Sequence, residues 1–147
     1  MIFDKTLQLS AAQAITATAV STNVIDLRAA GRAYKHAADL KRDLGLGGKA
    51  IPFLIQVVEA FTAAGDGTLT VSLECDDNEA FSSPKTVWTS SAIGKALLVP
   101  GYRFGTDYVP NGIDERFFRL NYTVATGPMT AGKITAGIVA GIQTSPL

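Results

Sequence analysis

TLTVSLECDDNEAFSSP, residues 68–84, is the stretch on which the fold turns. Its first half alternates with a period of two. Leu69, Val71, Leu73 and Cys75 fall on one side, and Thr68, Thr70, Ser72 and Glu74 on the other. Successive side chains of a strand point to opposite faces, so this is the pattern of a half-buried antiparallel strand. The second half sets Glu74, Asp76, Asp77 and Glu79 within six residues, which raises the question of a metal or catalytic site. Counted from Asp76 as an EF-hand calcium loop, Asn78 fits position 3. Ala80, Phe81 and Val87 then stand at positions 5, 6 and 12, where oxygen, glycine and glutamate are needed. Carboxylates acting as acid and base must flank one bond across a cleft, and neighbours on one loop do not. The expectation is therefore a strand end whose Asp and Asn side chains accept from local backbone amides. Phe81 is expected to tuck under the turn, and Pro84 to lead into the next strand.

The same period runs through most of the chain. RFFRLNYTVA, 116–125, groups Phe118, Leu120, Tyr122 and Val124 against Arg119, Asn121 and Thr123. AITATAV, 14–20, sets Ile15, Ala17 and Ala19 against Thr16 and Thr18. KITAGIVAGI, 133–142, has one face of Ile134, Ala136, Ile138, Ala140 and Ile142, and a second face bared by Gly137 and Gly141. A bare face implies close approach of another backbone or subunit. IPFLIQVVEAF, 51–61, is apolar on both faces, as a covered central strand is. Weaker strand patterns lie near 2–9, 23–27, 86–91 and 101–109. Asp66-Gly67 reads as a hairpin-type turn, and 109–112 and 125–132 as tight reversals. About eight evenly spaced strands predict an all-β, jelly-roll type antiparallel sandwich, one domain over 1–147.

Composition narrows the function. Hydrophobic residues make up 47% of 147, enough for a packed core. Lys plus Arg and Asp plus Glu both count 13, so there is no positive field for direct nucleic-acid binding. Cys75 is the lone cysteine, which precludes an internal disulfide, and its place on the apolar side of a strand reads as core packing. The first ten residues show no basic, apolar pattern of a secretory signal, so NYT at 121–123 reads as a chance sequon. No apolar run reaches the ~18 residues of a membrane helix.

One segment breaks the strand pattern. Residues 29–45, AAGRAYKHAADLKRDLG, read as a short inserted helix with Ala33, Ala37, Leu40 and Leu44 on one stripe and Gly45 as its stop. From 28 to 49 the chain carries Arg28, Arg32, Lys35, Lys41, Arg42 and Lys49 against Asp39 and Asp43, a local excess of +4 that leaves −4 for the remainder. This is either a solvated surface helix or a docking element for an acidic surface. His36 is the single histidine, so a multi-histidine metal centre is not available. GLGGK, 45–49, is glycine-rich but has no following Ser or Thr to make it a phosphate loop. Trp88, with Tyr102, Phe104 and Tyr108 along one side of a strand, offers the aromatic platform of a carbohydrate-binding or adhesin-like module, which is the alternative reading.

Three runs carry a resemblance: 69–84, LTVSLECDDNEAFSSP; 117–144, FFRLNYTVATGPMTAGKITAGIVAGIQT; and the opening 1–27. They resemble the capsid cement (decoration) proteins of tailed phages, the Bbp16 type. The run 119–138 is the most specific. The resemblance implies a jelly-roll subunit, made in a bacterial host cytoplasm, that assembles as a trimer on the outer surface of an icosahedral head. It implies a clamp on neighbouring major capsid proteins, with no enzyme activity and no cofactor. The chain departs from that family at RAYKHAADLK, 32–41, which precedes RDLG and looks inserted. The candidate partner contacts are Arg28, Arg32, Lys41 and Arg42 on the basic segment, and Asp76, Asp77 and Glu79 on the acidic strand end.

Overall fold

The computed structural model describes residues 3–28, 31–38, 40, 43–44 and 50–142. Its strands are β1 (Phe3–Ala14), β2 (Ala19–Val20), β3 (Ile25–Asp26), β4 (Phe53–Ala63), β5 (Thr68–Asp76), β6 (Lys85–Thr89), β7 (Ile93–Gly94), β8 (Phe117–Ala125) and β9 (Met129–Val139), with a 3-10 turn at Lys95–Leu97. All pairings among the described strands are antiparallel. One layer runs β1-β9-β4, and the other β2-β8-β5-β6 with β3 on β8 and β7 on β5. The 101–109 segment completes the first layer along the free edge of β4. Val57 and Phe53 donate to the carbonyls of Tyr102 and Asp107, and Phe104 and Val109 donate to those of Ile55 and Ile51, all at 2.9–3.0 Å. Four irregular ribbons thus face four, and the chain changes layer at nearly every connection. That is the jelly-roll order.

The alternating runs explain the layers. Phe53, Ile55 and Val57 of β4 meet Leu69, Val71, Leu73 and Cys75 of β5 and Phe118, Leu120 and Tyr122 of β8 in one core, each at most 1% exposed. Each such side chain contributes about 1.5–3 kcal/mol on burial. Leu54 is 2% exposed although it alternates with that core set, so β4 is covered on its second face at this point.

The two layers are also joined by a polar chain that starts from a buried pair of hydroxyls. The Ser10 hydroxyl donates to Gln13 Oε1 at 2.7 Å, so the Tyr122 hydroxyl, 2.7 Å from Ser10 Oγ, is the donor in that pair. Gln13 in turn donates Nε2–H to the Val20 carbonyl and accepts from Thr22 N–H, both at 2.8 Å. Burial pushes the Tyr122 hydroxyl well above the ordinary tyrosine range, so it stays protonated and keeps donating.

Two glycines of β9 permit the packing. At Gly137 a Cβ would stand 2.5 Å from the Leu7 carbonyl oxygen and 2.8 Å from Gln8 Cα, so the bared face is filled by the backbone of β1. β1 arches there, since the five steps from Phe3 to Gln8 match only two steps of β9, Val139 to Gly137. At Gly132 the ring of Phe61 occupies the place of a Cβ, and φ is +138°, a conformation glycine adopts without strain.

Three expectations are corrected. The inserted helix over 29–45 is not formed by the described residues. Ala33 to His36 make a turn closed by His36 N–H to the Ala33 carbonyl, 2.9 Å, with Lys35 at φ +65°, and Leu40 N–H reaches back to Gly31 O at 2.8 Å. The apolar stripe held two alanines and had little to bury, whereas Leu44 bridges Ile113 and Asp43 Oδ1 accepts from Gly112 N–H at 2.9 Å. Tertiary contacts at one end outweigh a weak local preference. Ala29, Ala30, Asp39, Lys41, Arg42 and Gly45 lie outside the described residues. AITATAV is not one strand either: β1 stops at Ala14, Ile15 turns into the core at 0% exposure, and pairing resumes at Ala19. Asp66-Gly67 is a turn between layers rather than a hairpin, because β4 and β5 lie in opposite sheets.

Candidate interaction surface

The acidic strand end divides into carboxylates that hold the fold and carboxylates that face solvent. Asp76 is 4% exposed. Its Oδ1 accepts from Asn78 N–H at 3.0 Å and its Oδ2 from Ser83 N–H at 2.8 Å. Those backbone donors hold its carboxyl below the usual carboxylate range. Asn78 Oδ1 accepts from Ala80 N–H at 2.9 Å, and Phe81 N–H donates to the Asn78 carbonyl at 2.9 Å. Phe81 folds under the loop at 6% exposure, with φ +50°. The expected capped strand end is therefore present.

Glu74 is held two register pairs along. It lies opposite Arg119 across β5 and β8, and accepts from Arg119 Nε at 3.1 Å and Asn121 Nδ2 at 2.8 Å. The Arg119 guanidinium also lies 4.0 Å over the Phe81 ring, which pins the loop to the sheet. Asp77 and Glu79 remain on the outside of this fixed loop, both exposed. Among the described residues neither forms an ion pair. Glu79 borders an open groove of about 630 Å³, lined also by Lys5, Thr6, Thr22, Asn23 and Val24.

The basic segment leaves the sandwich beside this loop. Asp26 closes β3 and takes a two-pronged contact from Arg116, Nε to Oδ1 at 2.8 Å and Nη2 to Oδ2 at 2.9 Å. It also accepts from Arg28 N–H at 2.7 Å. The Arg116 guanidinium holds the Asp26 carboxyl far below its ordinary range, and Glu79 adds to the field at Arg116. Past Arg28, at φ +66°, the described residues 31–38 are all exposed. Tyr34 is 89% and Leu40 58% exposed, and Lys35 Nζ sits 5.4 Å over the Tyr34 ring.

Of the residues singled out in the sequence, Asp76, Asp77 and Glu79 share the fixed loop, while Arg28 and Arg32 stand at the root and on the outward path of an exposed arm. Lys41 and Arg42 lie outside the described residues. Asp76 has both carboxylate oxygens engaged by backbone amides of its own loop. The sequence reading missed Tyr34 at the arm's turn, for which the alanine-rich surroundings gave no signal, and the Asp26–Arg116 and Glu74–Arg119 pairs, which only strand register reveals.

The proposed aromatic platform is not assembled. Phe104 is in the core at 1% exposure, Tyr102 packs edge-on to it at 5.3 Å and 88°, Trp88 is half-buried against the core from β6, and Tyr108 alone of the four is exposed, at 53%. Cys75 is fully buried, and that burial pushes its thiol up. Among the described residues no three His, Cys, Asp or Glu side chains come together to hold a metal ion. No helix among them is long and apolar enough to cross a membrane.

No curated protein matches the chain. The Bbp16 family model matches residues 9–138, from the middle of β1 to the penultimate residue of β9. The match takes in both layers, the acidic loop and the stretch that carries the arm, and the chain belongs to the Bbp16 family.

Proposed function

We propose that this protein is a structural component of a phage virion: a cement, or decoration, protein that sits as a homotrimer on the outer surface of an icosahedral head and clamps neighbouring major capsid proteins. The observation that carries the reading is the arm. A jelly roll with a closed core sends out a segment whose described residues 31–38 are all exposed, with Tyr34 and Leu40 facing solvent among basic side chains. An exposed aromatic side chain on a protruding segment is available as an anchor for another protein. Family membership supports the phage setting.

The chemistry of the site agrees with a role in assembly. The carboxylates best placed to act, Glu74 and Asp76, are committed to Arg119, Asn121 and backbone amides. A cement protein works by holding several capsid subunits at once. Each contact is modest, but linkage makes the later ones intramolecular and raises the total affinity by about 10² to 10⁴. The layer-to-layer hydrogen bonds of Tyr122, Ser10 and Gln13 give the rigid body that such a clamp requires.

The test is shell endurance. Expanded shells built from the cognate capsid protein are heated or dialysed to low ionic strength with and without this protein. Saturable binding and a higher rupture temperature are expected. Shells that rupture identically at saturating protein overturn the reading.

A further inference from the structure

We infer that the arm's turn, Tyr34-Lys35, docks in the groove beside Glu79 of a second copy of this chain, so that copies join arm to body. The inference rests on the assembly reading above in taking the protein to be a homo-oligomer, and it names the surfaces that join the copies.

Charge selects the occupant. The 28–49 segment carries +4 and the remainder of the same chain −4. Two arms repel one another and two bodies repel one another, whereas an arm and a body attract. A symmetric arm-to-arm contact is therefore disfavoured. An arm-to-body contact is met either by reciprocal exchange in a two-fold pair or by one-way contacts that close into a ring when the rotation between copies allows.

The two surfaces also match in form. The donor is a tight turn that presents an aromatic ring with an ammonium 5.4 Å over it, Tyr34 being 89% exposed. The acceptor is a groove of about 630 Å³ with Val24 in its wall, 36% exposed, and the Lys5 ammonium and the Glu79 carboxylate both in its lining. A tyrosine side chain fits such a space with its ring on Val24 and the neighbouring Lys35 within reach of Glu79. Asp77, exposed on the same loop, supplies further negative field for the rest of the arm. The acceptor needs no rearrangement, because Asp76, Asn78 and Arg119 already fix the loop. A pre-organised acceptor lowers the ordering cost of association. Aromatic side chains seated in a pocket are the usual anchors of an interface.

The test is sedimentation equilibrium of the full-length protein at ~50 mM and ~500 mM salt, where the reach of exposed charges differs several-fold. The wild type is expected to form one closed oligomer. Tyr34→Ala, Lys35→Glu and Glu79→Lys are each expected to raise the midpoint concentration about tenfold or more at low salt, the charge variants less so at high salt. All three positions are exposed, so melting temperatures should stay at the wild-type value and separate lost association from lost folding. Lys35→Glu combined with Glu79→Lys in one chain should restore association, since each copy then offers the swapped pair. A monomeric wild type, unchanged midpoints in the single variants, or no restoration in the double variant overturns the inference. If the swapped protein associates as expected while neither it nor the wild type pellets with capsid shells, the arm-to-body contact stands and the cement reading fails.

Discussion

Replacing Gly137 by alanine probes the closest approach in the fold. The added Cβ would lie 2.5 Å from the Leu7 carbonyl oxygen, 2.8 Å from Gln8 Cα and 3.3 Å from the Leu7 carbonyl carbon. Ordinary carbon–oxygen contacts begin near ~3.3 Å, so the β1 arch would have to withdraw by most of an ångström. The obstacle is backbone, which no rotamer change can move aside. Overpacking costs about 1–3 kcal/mol, and a fixed neighbour puts this site at the upper end. The alanine removes some freedom from the unfolded chain, which returns about 0.4–1 kcal/mol. The net loss is about 2 kcal/mol, or a melting temperature lowered by about 4–8 °C in a chain of this size. Calorimetry and urea unfolding measure both quantities. Gly105→Ala is the control, because nothing lies within 4 Å of the added atom there and its φ lies outside the left-handed range. The reasoning fails if Gly137→Ala melts within a degree of that control.

Other substitutions separate the remaining parts of the account. Gly132→Ala should destabilise at least as much, since the Cβ would enter the Phe61 ring and φ is +138°; soluble yield and melting temperature report it. Tyr122→Phe keeps the ring but removes the donor to Ser10, and should cost about 1–2 kcal/mol in urea unfolding. Asp76 has a folded pKa below its unfolded value near ~4, so its contribution is complete above that value and disappears as pH falls through the lower folded one. Asp76→Ala should therefore lower the melting temperature at pH 7 and show a shallower decline below pH 4 than the wild type; parallel acid declines would refute this assignment. Reversing Lys41 and Arg42 to Glu should weaken assembly more at low than at high ionic strength, and equal assembly at both would remove electrostatics from the account.

Where one face of a strand is buried in a continuous core, the alternating pattern was legible. Leu69, Val71, Leu73 and Cys75, and Phe118, Leu120 and Tyr122, lie where their period places them. The loop after β5 was legible for a different reason: Asp76 and Asn78 cap backbone two residues on, a contact local in sequence. Gly137 announced a close backbone, and β1 supplies it. Alternation shows that a face is buried, but not in which of two layers, so the Asp66-Gly67 turn resembled a hairpin while it connects opposite sheets. AITATAV alternated between alanine and threonine, residues too small to hold a register, and Ile15 left the strand for the core.

The candidate surface was half legible for the same physical reason. Its charges could be counted, but which of them are consumed depends on pairs far apart in sequence. Arg119 reaches Glu74 across 45 positions, and Arg116 reaches Asp26 across 90. Those two carboxylates drop out of the contact surface only once β5, β3 and β8 are aligned. The arm misled in the opposite way, because a stripe with two alanines satisfies a helical pattern without giving a helix anything to bury.

The most direct measurement is a reconstruction of the phage head assembled with this protein, to a resolution at which a jelly roll can be traced. The account predicts the sandwich on the outer surface, in copies around a three-fold position, with the arm and the 76–79 loop buried in contacts between copies or with capsid subunits. A head whose capsid surface carries no such density, from particles in which the protein is present in solution, would contradict it.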